Sequence, residues 1–177
     1  GARDRAAAKA AYGVAGPLVV SLGALIPRKG HDIVVSAMAS LPAATLLIAG
    51  EGPARAALTT QIARLGLTDR VRLLGSVPPD DLPALLGAAD VMALASASEG
   101  LANAWVEALA CGTPIVITGA GGAAEVVTEP AFGRITERSA SAFAEAIGDV
   151  LATPPSAQDV RRGADRFTRA ATTAAPP

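Results

Sequence analysis

The feature that most constrains this chain is a regular alternation. Short aliphatic runs recur along it, and a stretch with helical spacing follows each one. The runs are 17–23 (PLVVSLG), 44–50 (ATLLIAG), 70–75 (RVRLLG), 90–96 (DVMALAS), 114–118 (PIVIT) and a shorter one at 133–136 (GRIT). A strand with one wet face alternates polar with apolar residues. Near-continuous apolar runs instead mark strands buried on both faces. Between the runs, 30–41 places Ile33, Val34, Ala37, Met38 and Leu41 on one helical stripe. Residues 53–67 carry Pro53 in the first turn of a helix and Gly66 past its end, 78–89 is a short helix, and 139–152 closes the series.

Strands that alternate with helices predict an α/β fold: a doubly wound, mostly parallel, six-stranded Rossmann-like sheet with helices on both faces. In such sheets ligands bind outside the carboxyl ends of the strands, so the loops worth inspecting share one edge. Residues 1–16 read as a helical lead-in or linker, 17–152 as the binding domain, and 153–177 as a C-terminal helix with a frayed tail. Within that last helix Val160, Ala164 and Phe167 share one face. Arg162, Arg166 and Arg169 share another, read as a solvated stripe.

The 177 residues suit one domain, and their 51% apolar content supports a sizeable core and excludes disorder. A net charge of −1 removes the general electrostatic case for nucleic acid or an anionic membrane. Cys111 is the single cysteine, which excludes an internal disulfide and a cysteine-rich metal site. It is assigned to small-residue packing beside Gly112. His31 is the single histidine and reads as a first-turn surface residue. No apolar run reaches the roughly 20 residues of a membrane helix. The chain starts at Gly1 and reads as a piece of something longer.

The stretch SEGLANAWVEALACGTP (98–114) holds two carboxylates, Glu99 and Glu107. In a continuous helix they would be about 12 Å apart and turned by about 80°. Two carboxylates working on one glycosidic bond are roughly 5–9.5 Å apart, so this pair suits either the two ends of one extended ligand or the plain roles of a helix N-terminal charge and a surface residue. Arg28 and Lys29 follow the first strand and precede a helix, an arrangement suited to phosphate oxygens or to an ordinary solvated loop. Gly50 and Gly52 either admit a ligand to the backbone or simply make the turn. A rival signal is TGAGGAAE (118–125). It fits a dinucleotide fingerprint through Gly119, Gly121 and Ala124, with Glu137 as the ribose acid. Against it, that fingerprint belongs after the first strand of a unit, and only one weak strand follows here.

Taken in order, VSLGALIPRKG, LLIAGEGPAR, LGLTDRVRLLGSV, AADVMALASASEG and VEALACGTPIVITGAGGAAEVV resemble the carboxyl-terminal, donor-binding domain of the family 4 retaining glycosyltransferases (glycosyl transferases group 1), which have the GT-B fold. The most specific piece is E-x7-E followed by A-C-G-T-P and G-G-x-x-E. The resemblance implies a nucleotide-diphosphate sugar bound against an amino-terminal partner domain, which carries the acceptor site. It implies that Glu99 takes the donor sugar hydroxyls, with backbone amides over Gly100, Leu101, Ala102 and Asn103 beside it. Glu107 would take the ribose hydroxyls, Lys29 would neutralise the diphosphate, and Val77 would border the base. Gly50 is counted among the nucleotide-binding positions, and Glu99, Lys29 and Arg28 among the catalytic ones. The implied chemistry is front-face hexosyl transfer to an acceptor hydroxyl with retention, without a cofactor or metal, in the cytoplasm or at the inner membrane face. Peripheral membrane contact would come through the longer chain.

Two positions depart from the family pattern. Ala24 stands where an arginine usually follows the first strand's glycine, and Arg28 is a candidate substitute for that cation. Ala102 stands where a second glycine is usual. Because the acceptor site of the family lies in the amino-terminal domain, the resemblance implies nucleotide binding without meaningful transfer from these 177 residues alone. A non-catalytic nucleotide-binding or scaffold module, supported by Ala24, and a GT-B nucleotide-sugar epimerase are the alternatives. The dinucleotide-binding oxidoreductase domain is the remote one.

Overall fold

A computed structural model describes residues 2–173; the tail from residue 174 and the Arg169 side chain lie outside the described residues. The six apolar runs form strands β1 (Leu18–Leu22), β2 (Thr45–Ala49), β3 (Val71–Gly75), β4 (Val91–Leu94), β5 (Ile115–Thr118) and β6 (Gly133–Thr136). The helices are α1 (Ala2–Ala11), α2 (His31–Ala37), α3 (Arg55–Arg64), α4 (Leu82–Ala88), α5 (Asn103–Ala110), α6 (Ala123–Val126), α7 (Ala140–Ala152) and α8 (Ala157–Thr173). All neighbouring strands run parallel, in the order β3-β2-β1-β4-β5-β6.

The four inner strands β1, β2, β4 and β5 each feed two cores in alternation, as the two-residue period of a strand requires. Leu18, Val20, Leu47, Met92 and Ile117 point to one side, where α5 and α8 supply Trp105, Leu109, Val160 and Ala164. Val19, Leu46, Ile48, Ala93 and Val116 point to the other, where α2, α3 and α7 supply Val34, Val35, Leu58, Phe143 and Ile147. Burying one such aliphatic side chain contributes about 1.5–3 kcal/mol, which is why these runs become the middle of the sheet. Among the described residues no helix is long and apolar enough to cross a membrane.

Local chemistry sets the element ends. The helix predicted over 30–41 stops at Ala37 and tightens into a 3-10 turn, Met38–Ser40. Leu41 precedes Pro42, and a residue before proline is driven out of the α region; Leu41 sits at φ −125°, ψ 66°. Ser139 caps α7 by accepting from the Ala142 amide at 3.2 Å. The helix after β5 is a single turn, Ala123–Val126.

One topological fact positions the site. The strand order reverses between β1 and β4, so their following segments leave on opposite sides and open a crevice. β1 keeps register with β2 from Leu18↔Thr45 to Leu22↔Ala49, but with β4 only at Val19↔Val91 and Val20↔Met92. Toward their carboxyl ends the two central strands are no longer laddered to each other.

Candidate functional site

A cavity of about 500 Å³ occupies that crevice, with Leu22 and Gly23 from the end of β1 and Leu94 from the end of β4 in its wall. Lys29, Glu99, Leu101, Ala102, Asn103 and Glu107 line it as well, as do Gly50 and Val77. Residues 70 apart in the chain therefore converge because β1 and β4 are neighbours. Arg28 and Gly100 are absent from the lining.

Lys29 is placed by the packing of its turn. Pro27–Lys29 form a 3-10 turn closed by Gly30 at φ 69°. A Cβ on Gly30 would lie 2.0 Å from the Ala95 carbonyl oxygen, so only glycine lets this turn dock on the segment leaving β4. The Lys29 methylenes then run over Gly23, with Cδ 3.5 Å and Cε 3.6 Å from the point where a Cβ on Gly23 would stand.

The ammonium ends on Glu99: Lys29 Nζ donates to Glu99 Oε1 at 2.6 Å. The Ser96 hydroxyl donates to the same oxygen at 2.9 Å. Ser96 is buried, and its carbonyl accepts from Thr118 Oγ1 at the end of β5. Burial alone would push the Glu99 carboxyl up. The bonds from Lys29 and Ser96, with the charges of Lys29 and Arg28, outweigh it and hold the group below the ordinary carboxylate range.

Arg28 braces the same turn from outside. Its guanidinium donates to the Ser98 carbonyl at 3.0 Å, and its own carbonyl accepts from the Ala97 amide at 2.8 Å. On the opposite flank the Gly122 amide donates to the Gly100 carbonyl at 3.1 Å. Gly121 sits at φ 51°, and a Cβ there would lie 1.8 Å from the Glu99 carbonyl oxygen. Close packing on the 99–101 turn thus accounts for Gly121. The remote dinucleotide reading of TGAGGAAE has no helix to rest on beyond the one turn of α6.

α5 begins at Asn103 with Ala102 in an extended conformation at its N-cap, and no side chain caps its first amides. Those amides carry the positive end of the helix dipole at the cavity wall. Glu107 stands one turn further on, exposed, while Trp105, Ala108 and Leu109 anchor the helix to the sheet. Gly50 is both packed and lining: a Cβ on it would lie 2.0 Å from the Gly23 carbonyl oxygen.

One expectation is corrected. His31 is not a surface residue; it is 2% exposed. Its Nδ1 lies 2.9 Å from Ser21 Oγ and its Nε2 lies 3.2 Å from the Gly23 carbonyl oxygen. A carbonyl can only accept, so Nε2 carries the hydrogen, and the Ser21 hydroxyl donates to Nδ1. Burial, above all, lowers the imidazole pKa; Lys29 adds to that, while backbone contacts at Gly23 and Ala24 and the charge of Asp32 oppose it. The histidine thus fixes the end of β1 beneath the cavity. The sequence reading missed Ser21, Ser96 and Thr118, the hydroxyls that hold this layer together.

A larger cavity, about 800 Å³, lies at the amino ends of the strands between α1 and residues 154–157. Its polar groups already satisfy one another: Lys9 Nζ pairs with Asp90 at 2.6 Å, and Asp90 accepts from the Leu18 amide at 2.8 Å. Among the described residues no three histidine, cysteine or acidic side chains gather as a metal cluster would.

Comparison with known proteins converges on one group. A family model described as glycosyl transferases group 1 matches residues 3–167. The chain is 35% identical, over 163 residues, to a GDP-mannose-dependent alpha-(1-6)-phosphatidylinositol monomannoside mannosyltransferase of Mycolicibacterium smegmatis, covering 85% of this chain and 43% of that protein. It is 35% identical over 162 residues to a D-inositol 3-phosphate glycosyltransferase of Mycolicibacterium gilvum, covering 86% of this chain and 36% of that one. Among solved structures it resembles HepE of Anabaena in complex with UDP-glucose, with a TM-score of 0.83 and 30% identity over 94% of this chain and 48% of that one. The chain thus spans less than half the length of these relatives.

Proposed function

The chain belongs to the glycosyl transferases group 1, with the fold of a carboxyl-terminal GT-B domain, and we propose that its carboxyl-edge cavity is the donor site of a retaining hexosyltransferase. The observation that carries this reading is the convergence of Lys29, Glu99 and Glu107 on one cavity beside the uncapped start of α5. That set matches the three parts of a nucleotide-diphosphate sugar. A cation and helix amides suit the diphosphate, and a carboxylate at each end suits paired hydroxyls. In this assignment Lys29 and the α5 amides take the diphosphate. Glu99 takes the sugar, beside the backbone of Leu101 to Asn103. Glu107 takes the ribose, and Val77 and Gly50 border the base. Arg28 acts by bracing the 97–99 turn.

The reaction follows from those placements. The bond from the anomeric carbon to the leaving phosphate oxygen breaks, and a bond to the acceptor oxygen forms on the same face. The acceptor proton passes to a phosphate oxygen. The protein's share is to position the donor and stabilise charge on the departing diphosphate. The acceptor site belongs to a domain beyond these residues, as does any peripheral membrane contact, and the donor is held without a metal.

Calorimetry with UDP, GDP and ADP tests this reading and identifies the base. One of the three binds the chain, EDTA leaves that binding intact, and Glu107→Ala weakens it. The second reading, a scaffold module that has lost its chemistry, is favoured by Ala24 and requires that none of the three binds.

A further inference from the structure

Resting on that donor-site reading, we propose that Ser96 is a positioning residue for sugar recognition. It holds Glu99 in place when Lys29 turns from Glu99 to the donor diphosphate. Both donors to Glu99 converge on one oxygen. Lys29 Nζ lies 2.6 Å and Ser96 Oγ 2.9 Å from Glu99 Oε1, and Oε2 receives no hydrogen bond from a described residue. The carboxylate is therefore oriented through Oε1 and has Oε2 to offer to a ligand hydroxyl.

In this proposal Lys29 gives up that role in the bound state. Among the described residues it is the single cationic side chain in the cavity wall, and the diphosphate draws it away. Glu99 follows a loop rather than sitting within a helix, so without a second anchor its side chain would regain its rotamers as the sugar arrives. Ser96 is that anchor, and its own position is over-determined. It is 1% exposed. Thr118 bonds its carbonyl from β5, and Arg138 Nε bonds the preceding carbonyl, that of Ala95, at 2.9 Å. Gly30 packs closely on Ala95 as well. The hydroxyl is thus presented from a fixed backbone at the end of β4.

The test separates the sugar from the nucleotide. Affinities of wild type and Ser96→Ala are measured for whichever of UDP, GDP and ADP binds tightest, and for its conjugate (UDP-glucose, GDP-mannose or ADP-glucose). Ser96→Ala is expected to lose about fivefold in affinity for the nucleotide sugar, the weight of one hydrogen bond, and less than about twofold for the bare diphosphate. In Glu99→Gln the same change is expected to have no further effect on the sugar increment. Ser96→Cys, which retains a weak donor, should fall between. A purely structural role would weaken both ligands equally, and that result, or no change in either, overturns the proposal. If wild type binds no nucleoside diphosphate, the donor-site reading fails and the proposal with it. If the diphosphate binds and weakens on Glu107→Ala while Ser96→Ala loses no sugar increment, the proposal alone fails.

Discussion

Replacing Glu99 by glutamine gives a prediction whose sign is unusual for a binding-site mutation: the bare nucleoside diphosphate should bind more tightly. On the proposed donor-site reading, Glu99 occupies the cation that the diphosphate needs. The contact is 2.6 Å, and the Lys29 and Glu99 side chains are 18% and 10% exposed. At an effective dielectric near 20 the gross attraction across that distance is about 6 kcal/mol. Desolvation of the two groups cancels most of it, and measured exposed pairs retain about 0–1 kcal/mol. Taking the upper end for this partly buried pair, removal of the charge should tighten the diphosphate by about fivefold. The nucleotide sugar should not share that gain, because glutamine is a poorer acceptor for its hydroxyls. Isothermal calorimetry on both ligands, at fixed ionic strength, reads the two effects separately. An unchanged or weakened affinity for the diphosphate in Glu99→Gln would refute the reasoning, since Lys29 would then not be a contested group.

Four other outcomes follow from named positions. His31 is neutral and buried, so between about pH 6.5 and its lower folded pKa the unfolded chain binds a proton that the native one does not. Stability should fall as pH drops through that window, by at most about 1.4 kcal/mol per pH unit, and His31→Gln should lose this part of the dependence in urea unfolding at pH 7 and 5. Ala24 is exposed beside Gly23, and Ala24→Arg should tighten the diphosphate by about tenfold at low salt, with a steeper salt dependence than wild type. Gly121→Ala should cost at least about 1–2 kcal/mol from its left-handed backbone, plus displacement of the 99–101 turn. In contrast, Gly119→Ala should change thermal stability by less than about 0.5 kcal/mol, because its Cβ would stand 3.7 Å from Ile135 with no positive φ.

The sheet was legible because its strands are buried on both faces: LVVSL, TLLIA and IVIT have no polar side to disguise their period. The site was legible at the level of loops. An α/β alternation assigns every βα turn to one edge, and Lys29, Glu99 and Glu107 sit in or just after such turns. The contact between Lys29 and Glu99 was not legible from spacing. It depends on β1 and β4 being neighbours, and strand order is a long-range property that periodicity does not carry. His31 misled for a related reason. A histidine opening a helix after Arg-Lys-Gly looks wet, and its burial comes from Gly30 docking on Ala95. A signal did exist in Ser21. A hydroxyl in the middle of a strand buried on both faces must find a partner, and the single histidine, ten residues on, supplies it.

Ser96 could have been found by the same test, since it closes an otherwise aliphatic run. Read one at a time, Lys29 and Glu99 are two ligands for two parts of a donor. Read with the hydroxyls that serve them, they form a pre-assembled pair in which one cation is already neutralised. The cavity wall then offers one cation against two carboxylates to a ligand that itself carries negative charge. On the proposed donor-site reading, binding is an exchange of partners, with Lys29 passing to the phosphate and Glu99 to the sugar. The uncapped amides of α5 supply the positive potential that Ala24 does not. An exchange of this kind favours a ligand that satisfies both released groups. A bare diphosphate satisfies Lys29 and leaves Glu99 with Ser96 alone, whereas a nucleotide sugar satisfies both, so discrimination for the intact donor follows from the pairing itself.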